Sequence, residues 1–478
     1  MSAIGAHPEG QELRGRLAHV AGELMERNYS AAVSAEGIQK PYHAVTEETE
    51  GGMKLVSKDG AGVCQLPVAD RAGQSGTAKS RSRSGSPSVL VVDASCFSLP
   101  YDYSLCEALA GRGCAVTLVR SEFVHTPWQA ANSFKVWNHF YERSHARPRS
   151  RARGPLWKLL KLAEHTRDMA RLVTECEKRK PDIIHFQWLP VPMIDRRYLA
   201  KLRRIAPLVL TLHNTTTFHG SLVQRLHQEI GFGAIFQHLS GLIVHTEFSK
   251  RMVIERGWLP AEKVHVVPHG VLDYYRSIAA PPPALAPGSD AEPAEPTVLF
   301  FGAIEHYKGV DLLIRAFAAL PRDMQATSRM CIAGKPGMDV SGLRELASSL
   351  GIEQRTNWIL RFVSEEEIPM LFGSAAVVVL PYREIDQSGV LMTAIAFDKP
   401  IIASRVGGLA ETIRDNVHGR LFQAGDVPSL TAAMAEILGQ PERRRDMERA
   451  VRRLRESLSW ENSAGRTIEV YDQYLSGS

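Results

Sequence analysis

The chain of 478 residues has no uninterrupted apolar run of ~18 or more, which excludes a membrane-crossing helix of ordinary length. Its opening residues carry early acidic side chains and no apolar core segment, so no secretory leader is expected. Cysteine is sparse: Cys64, Cys96, Cys106, Cys114, Cys176 and Cys331 include no Cys-x-x-Cys pair. That scatter argues against a disulfide scaffold or zinc framework and for reduced, packed thiols in a cytoplasmic protein. No Asp-x-Asp or histidine cluster has ligand spacing, so no metal and no cofactor are expected. Charge of one sign is also scarce. A formal net charge of +5 is too small over this length to argue for nucleic acid, and the basic run has no stacking platform beside it. What remains is 44% hydrophobic and 23% charged, ordinary for a soluble protein with a sizeable core.

The chain divides by composition. Residues 1–88 are poor in apolar periodicity and end in the low-complexity run Lys79-Ser80-Arg81-Ser82-Arg83-Ser84-Gly85-Ser86, which reads as a mostly disordered extension. A short helix is expected around 10–35, apolar at Leu13, Leu17, Val20 and Leu24. From Val89 the pattern is strand, helix, strand: an apolar run at 89–93, a helix from about Ser104, and a second run at 115–119. Such a βαβ unit implies a parallel sheet with helices on its faces. Apolar runs recur at 182–186, 208–212 and 241–245. A proline- and alanine-rich linker at 281–296 separates this first domain (89–280) from a second (297–460). The second has runs at 297–302, 329–334, 376–381 and 400–404, and helical sequence closes the chain at 461–478. The fold class is therefore α/β, two doubly wound Rossmann-like domains in tandem with a cleft between them. Ligands of such sheets bind at the carboxyl ends of the strands.

Three segments of the second domain carry chemistry. Gly302-Ala303-Ile304-Glu305-His306-Tyr307-Lys308-Gly309 follows a strand and precedes a helix. Its glycines allow close backbone approach, and Lys308 can set a positive charge on a diphosphate; a solvated lysine in a tight turn is the plain alternative. The segment from Pro381 through Asp386, Gln387, Ser388 and Gly389 passes from a strand end into an apolar helix. Backbone N–H groups at 387–389 would meet an anion there, with Asp386 beside them to accept from sugar hydroxyls; a helix cap alone would also explain Asp386 or Ser388. The third, Ser404-Arg405-Val406-Gly407-Gly408-Leu409-Ala410-Glu411, empties a buried strand into a Gly-Gly turn, which suits ligand contact or simply positive φ.

In this order the three segments resemble the retaining GT-B glycosyltransferases of family four, the glycogen-synthase-like group. The resemblance spans roughly 89–475 as architecture and is sharp in the second domain. It implies that Lys308 contacts the donor diphosphate, and that Gly302, Gln387, Ser388, Gly389, Val390 and Glu411 line the donor site, with Asp386 serving the donor sugar. The family's Glu-x7-Glu pair would fall on Ile385 and Thr393, neither acidic, and a subset of relatives has the Asp-Gln-Ser-Gly turn found here. The arginine often found shortly before the lysine is absent too. Ser459-Trp460-Glu461 leading to Tyr471 is similar to the family's last helix, which packs back toward the first domain.

The first domain offers histidines at strand ends: His185, His213, His245 and His269. By resemblance, His213 is the first choice for contacting the transferred sugar and His185 the second; a satisfied structural histidine is the alternative for each. The loop Ser98–Tyr103 lies where this fold keeps its acceptor side. A basic stretch over 143–162 (Arg147, Arg149, Arg151, Arg153, Lys158, Lys161) with interleaved leucines suits either an anionic membrane face or a solvated helix packing its leucines inward. The expected activity is transfer of a hexosyl group, with retention, from a UDP- or GDP-linked sugar to a glycan or lipid-linked acceptor, in bacterial surface polysaccharide assembly. The expected place is the cytoplasm, at the inner membrane face for a lipid-linked acceptor. Alternatives are a binding or scaffold protein without turnover, and a sugar-nucleotide epimerase.

Overall fold

The nine continuous apolar runs become the inner strands of two parallel sheets. The computed structural model describes residues 86–123, 131–145, 155–215, 233–278 and 295–476. The expected N-terminal extension up to residue 85, its helix at 10–35 and most of the 281–296 linker lie outside them. The first sheet has the order β3-β2-β1-β4-β5-β6-β7. Its strands are β1 Ser88–Asp93, β2 Ala115–Ser121, β3 Lys135–Phe140, β4 Ile183–Trp188, β5 Leu208–Thr211, β6 Gly241–Val244 and β7 Val264–Val266. The second has the order β10-β9-β8-β11-β12-β13. It is built from β8 Thr297–Phe301, β9 Arg329–Ala333, β10 Thr356–Ile359, β11 Ala375–Leu380, β12 Ile401–Ser404 and β13 Gly419–Phe422.

Each strand order reverses once, between β1 and β4 in the first sheet and between β8 and β11 in the second. Chains leaving the carboxyl ends of such a pair diverge to opposite faces and leave a crevice. Two crevices result, one in each domain. Apolar residues cover both faces of the first sheet, with Phe186 and Leu210 in one cluster and Val91, Val209 and Ile243 in the other. A separate cluster around Phe300, Val378 and Ile402 fills the second domain.

Helix α1 (Leu99–Gly111) starts five residues before the expected Ser104. Pro100 explains the early start: its fixed φ suits a first helical turn that needs no N–H there, and Leu99, Tyr101 and Asp102 are buried by it. Helix α2 (Pro155–Arg179) contains the second half of the basic stretch. Lys161 does not join an exposed face. It is buried, with its ammonium over the rings of Tyr141 (4.5 Å) and Trp157 (5.3 Å). Burial pushes it down to about 7, against the pull of Glu164. Arg147, Arg149, Arg151 and Arg153 lie outside the described residues. Further on come α3 (Glu247–Glu255), α4 (Val310–Ala318), α5 (Gly389–Ala396), α6 (Gly407–Thr412) and α7 (Trp460–Leu475).

The last helix, α7, packs on the first domain. The Trp460 ring lies so close to Gly270 that a Cβ there would come within 2.5 Å of it, and its indole N–H donates to the Val271 carbonyl at 2.7 Å. Tyr471 and Tyr474 bond His185 and His265 (2.7 Å each). Among the described residues no helix is long and apolar enough to cross a membrane.

Candidate donor and acceptor sites at the two sheet reversals

At the β8/β11 reversal the chain leaves β8 through Gly302 (φ +114°) and turns at Gly309 (φ +65°), both in a region that favours glycine. A Cβ on Gly309 would lie 2.0 Å from the Pro381 carbonyl oxygen, so only glycine lets the two loops touch. The single turn His306–Lys308 between them bends Lys308 back over the strand end. Its Nζ lies 3.1 Å from the point where a Gly302 Cβ would stand, and Val390 Cγ2 lies 3.2 Å from that point. Gly302, Lys308 and the first turn of α5 therefore converge on one spot.

The Lys308 ammonium faces the rings of Tyr307 (5.8 Å) and Tyr382 (5.7 Å). Burial pushes it down to about 8, with Glu305 opposing. Among the described residues it has no hydrogen-bond partner. Ser388 caps α5, its hydroxyl accepting from the Leu391 N–H at 3.2 Å. The Ser388 N–H, expected to be offered outward, donates instead to Gln387 Oε1 at 3.3 Å. The first amides of the helix, Gly389 and Val390, remain without a protein partner among the described residues. One cation and two free amides at a helix start make a site for an anion.

Two expected donor-site carboxylates are engaged elsewhere. Asp386 is buried, and one of its oxygens accepts from the N–H and the hydroxyl of Thr215 in the first domain. Glu411, in α6, accepts from the N–H groups of Glu247 (2.8 Å) and Phe248 (2.7 Å), which open α3. It caps a helix of the other domain because that helix start has unpaired donors and a positive dipole end. The Gly407-Gly408 turn answers to packing: a Cβ at Gly407 would lie 1.7 Å from the Ile385 carbonyl oxygen, and one at Gly408 2.4 Å from that of Asp386. Ile385 and Thr393 are buried, and the Thr393 hydroxyl donates to the Gly389 carbonyl at 2.9 Å.

Three of the four histidines gather around Tyr101, whose ring lies 4.9 Å from those of His213 and His269 and 5.5 Å from that of His245. His185 is fully buried and has both nitrogens occupied, by Tyr471 and Thr211 (2.7 Å each). This departs from the sugar-contacting role expected of it, since a ring with no exposed surface offers nothing to a ligand. His213 is partly exposed, meeting Gln187 Oε1 at 3.2 Å and His245 Nε2 at 3.4 Å. His245 Nδ1 is 3.0 Å from the Val267 carbonyl. Burial, then the neighbouring histidines, lowers His213 well below the usual range, and burial holds His245 at about 4. Both rings are neutral at pH 7. Among the described residues no set of three or more His, Cys, Asp or Glu side chains is placed to hold a metal.

Two family comparisons bear on this geometry. Residues 101–272 match the family model described as Glycosyltransferase Family 4, and residues 286–454 match Glycosyl transferases group 1. The two matches fall on the paired domains of the GT-B fold, one on each. A D-inositol 3-phosphate glycosyltransferase of Nocardia farcinica is 29% identical over 296 residues, covering 58% of this chain and 64% of the relative. One from Mycobacterium tuberculosis is 30% identical over 303 residues, covering 61% of each. The chain thus spans somewhat less than two thirds of the length of these relatives. Among solved structures, a sucrose-phosphate synthase from Thermosynechococcus elongatus superimposes with a TM-score of 0.61 at 19% identity, over 82% of this chain and all of the other. A glycosyltransferase from Rickettsia africae gives 0.59 at 16%, with the same coverage. At these identities the likeness establishes the fold.

In this GT-B protein, reading the sequence missed Arg383. Its guanidinium bonds both carboxylate oxygens of Asp311 in α4 (3.0 and 2.8 Å) and the His306 carbonyl (2.7 Å), while its N–H donates to the Tyr307 carbonyl (2.7 Å). It thereby clamps the turn that carries Lys308. The bond from Thr215 to Asp386 was missed as well. Only the place of Thr215 after β5 and close to His213 hinted that it faces the cleft.

Proposed function

We propose that the protein is a hexosyltransferase that takes a nucleotide diphosphate sugar as donor and passes the sugar to an acceptor hydroxyl with retained configuration. The observation that carries this reading is the convergence of Lys308, Gly302 and the free amides of Gly389 and Val390 at the β8/β11 reversal. As the bond from the sugar carbon to the diphosphate breaks, its electron pair and charge move onto the phosphate oxygen. A fixed cation and helix-start amides in a low-dielectric cleft stabilise that charge without reorganising. The acceptor oxygen bonds to the sugar carbon and passes its proton to the departing phosphate oxygen. In this reading His213 meets the transferred sugar, supported by its partial exposure and its place two residues before the Thr215 contact to Asp386.

UDP is the first donor fragment to try, because an Anabaena protein of like fold was solved with it, and GDP the second. D-inositol 3-phosphate, named in the relatives, is a reasonable first acceptor; surface polysaccharides and their lipid-linked precursors are the wider class. A binding-only protein is the second reading, favoured by Ile385 and Thr393 at the places of the usual acidic pair. Thermal shift against UDP- and GDP-sugars, on the wild type and Lys308→Ala, tests the proposal. Saturating donor at ~100 times its dissociation constant stabilises by about 2.7 kcal/mol. A shift confined to the wild type, with turnover, supports it. Donor binding without turnover on any acceptor supports the second reading, and no shift in folded protein removes both.

A further inference from the structure

The reversal in the first sheet holds a feature that the donor site does not use. Asp93, the last residue of β1, is paired across the sheet with Trp188, the last of β4. The Asp93 carboxylate is fully buried and accepts from the N–H groups of Ser95 (3.0 Å), Cys96 (2.9 Å) and Phe97 (2.8 Å). A loop wrapped on a buried carboxylate in this way is rigid. It nonetheless turns Phe97 outward, 48% exposed. The Phe97 ring lies 5.6 Å from that of Trp188, and Trp188 in turn lies nearly flat on His213 (4.8 Å, 16°). The indole N–H of Trp188 donates to Ser98 Oγ at 2.9 Å, so the same loop locks both rings.

We propose that Phe97 and Trp188 form an acceptor subsite that receives a polyhydroxylated six-membered ring, a pyranose or a cyclitol. This rests on the glycosyltransferase reading above. The shelf presents carbon and π surface, because its one polar hydrogen is already bonded to Ser98. At its inner end stands a partly exposed neutral imidazole, His213. A sugar ring matches that shelf, with a face of C–H groups for the aromatic surface and rim hydroxyls left to water and to the polar cleft beside it; the His213 nitrogens themselves meet Gln187 Oε1 (3.2 Å) and His245 Nε2 (3.4 Å). The shelf is also continuous with the cleft: two residues beyond His213, Thr215 bonds Asp386 of the donor domain.

The test is a titration of intrinsic tryptophan fluorescence in the full chain. The probes are methyl glycosides of glucose, galactose, mannose and N-acetylglucosamine, D-inositol 3-phosphate, octyl glucoside and 1-octanol. UDP thermal shift on the same samples checks folding and the donor site. The expected result is a saturable change with at least one ring probe, absent in Trp188→Phe and weakened about tenfold or more in Phe97→Ala, while UDP still shifts all three proteins. An undiminished response in both variants overturns the subsite. So does a response to octyl glucoside matched by octanol and missing for methyl glucoside, which assigns the shelf to a lipid tail. If UDP shifts the protein but no ring probe perturbs it, the subsite is overturned and the transferase reading stands; if UDP fails to shift it, the underlying reading falls first.

Discussion

Asp386 and Thr215, 171 residues apart, join the two domains: the carboxylate on the loop after β11 accepts from the hydroxyl (2.8 Å) and N–H of the residue just past β5. Both residues are buried, and Asp386 lies three positions before the helix start at Gly389. Asp386→Ala strands two buried donors, each at a cost of about 1–3 kcal/mol. The loss falls on the closed arrangement of the domains. The expected outcome is a rise in donor KM of tenfold or more, with Thr215→Val showing a smaller rise and the double variant no more than Asp386→Ala alone. Additive effects in that cycle would show that the two residues act separately.

Lys308→Ala removes the cation without touching the core. Loss of one preorganised charge contact of this kind lowers kcat/KM by roughly 100- to 1,000-fold, about 3–4 kcal/mol. The melting temperature without ligand should hold or rise, because a partly buried ammonium has been deleted. Initial rates with a donor identified by thermal shift check it.

Donor affinity should depend on pH through the same residue. Burial lowers Lys308 to about 8, so the free site loses its charge as pH rises through that value. A bound diphosphate favours the protonated form and raises the pKa, so binding takes up a proton above pH 8. Affinity is then flat from pH 6 to 7.5 and weakens by up to about tenfold per unit above 8. Calorimetry of UDP binding in buffers of different ionisation heat reads the proton directly. Lys308→Arg, whose charge persists throughout, should flatten the profile.

Arg383 acts on Lys308 through the turn. The Arg383–Asp311 pair is about one third exposed, so its own contribution to stability is below about 1 kcal/mol. Arg383→Ala should therefore leave melting nearly unchanged yet raise donor KM several-fold, because the His306–Lys308 turn loses its clamp. Arg383→Lys, which cannot bond both oxygens at once, should recover little.

Acid should destabilise the first domain. Burial lowers His185 and His269 to about 3 and His245 to about 4, below the unfolded value near 6.5. Between these limits the unfolded chain binds more protons, so stability rises with pH and is lost as pH falls from about 6.5 toward 4. The loss is on the order of 2 kcal/mol per ring by pH 5. Denaturant melts at pH 7 and 5 measure it, and His185→Gln should show a shallower fall.

Nine inner strands were legible as apolar runs because a parallel strand covered on both faces needs an apolar residue at nearly every position. The strands missed, β3, β7, β10 and β13, are the four sheet edges. Partly exposed positions break their pattern: Lys135 is exposed in β3, as is Asn357 in β10. Lys308 and the Ser388-Gly389 helix start were also legible, since a strand end, a glycine turn and an apolar helix are adjacent in the chain. Local sequence thus determined the βα units and the residues at their carboxyl ends. Only the tertiary structure decided which of those residues are taken up by protein partners. Asp386 and Glu411 bond the opposite domain, His185 is closed off by Tyr471, and Phe97 and Trp188, 91 positions apart, meet across one strand reversal. Such contacts depend on the order of strands in a sheet and on the meeting of two domains, and neither is written in any single stretch of the chain.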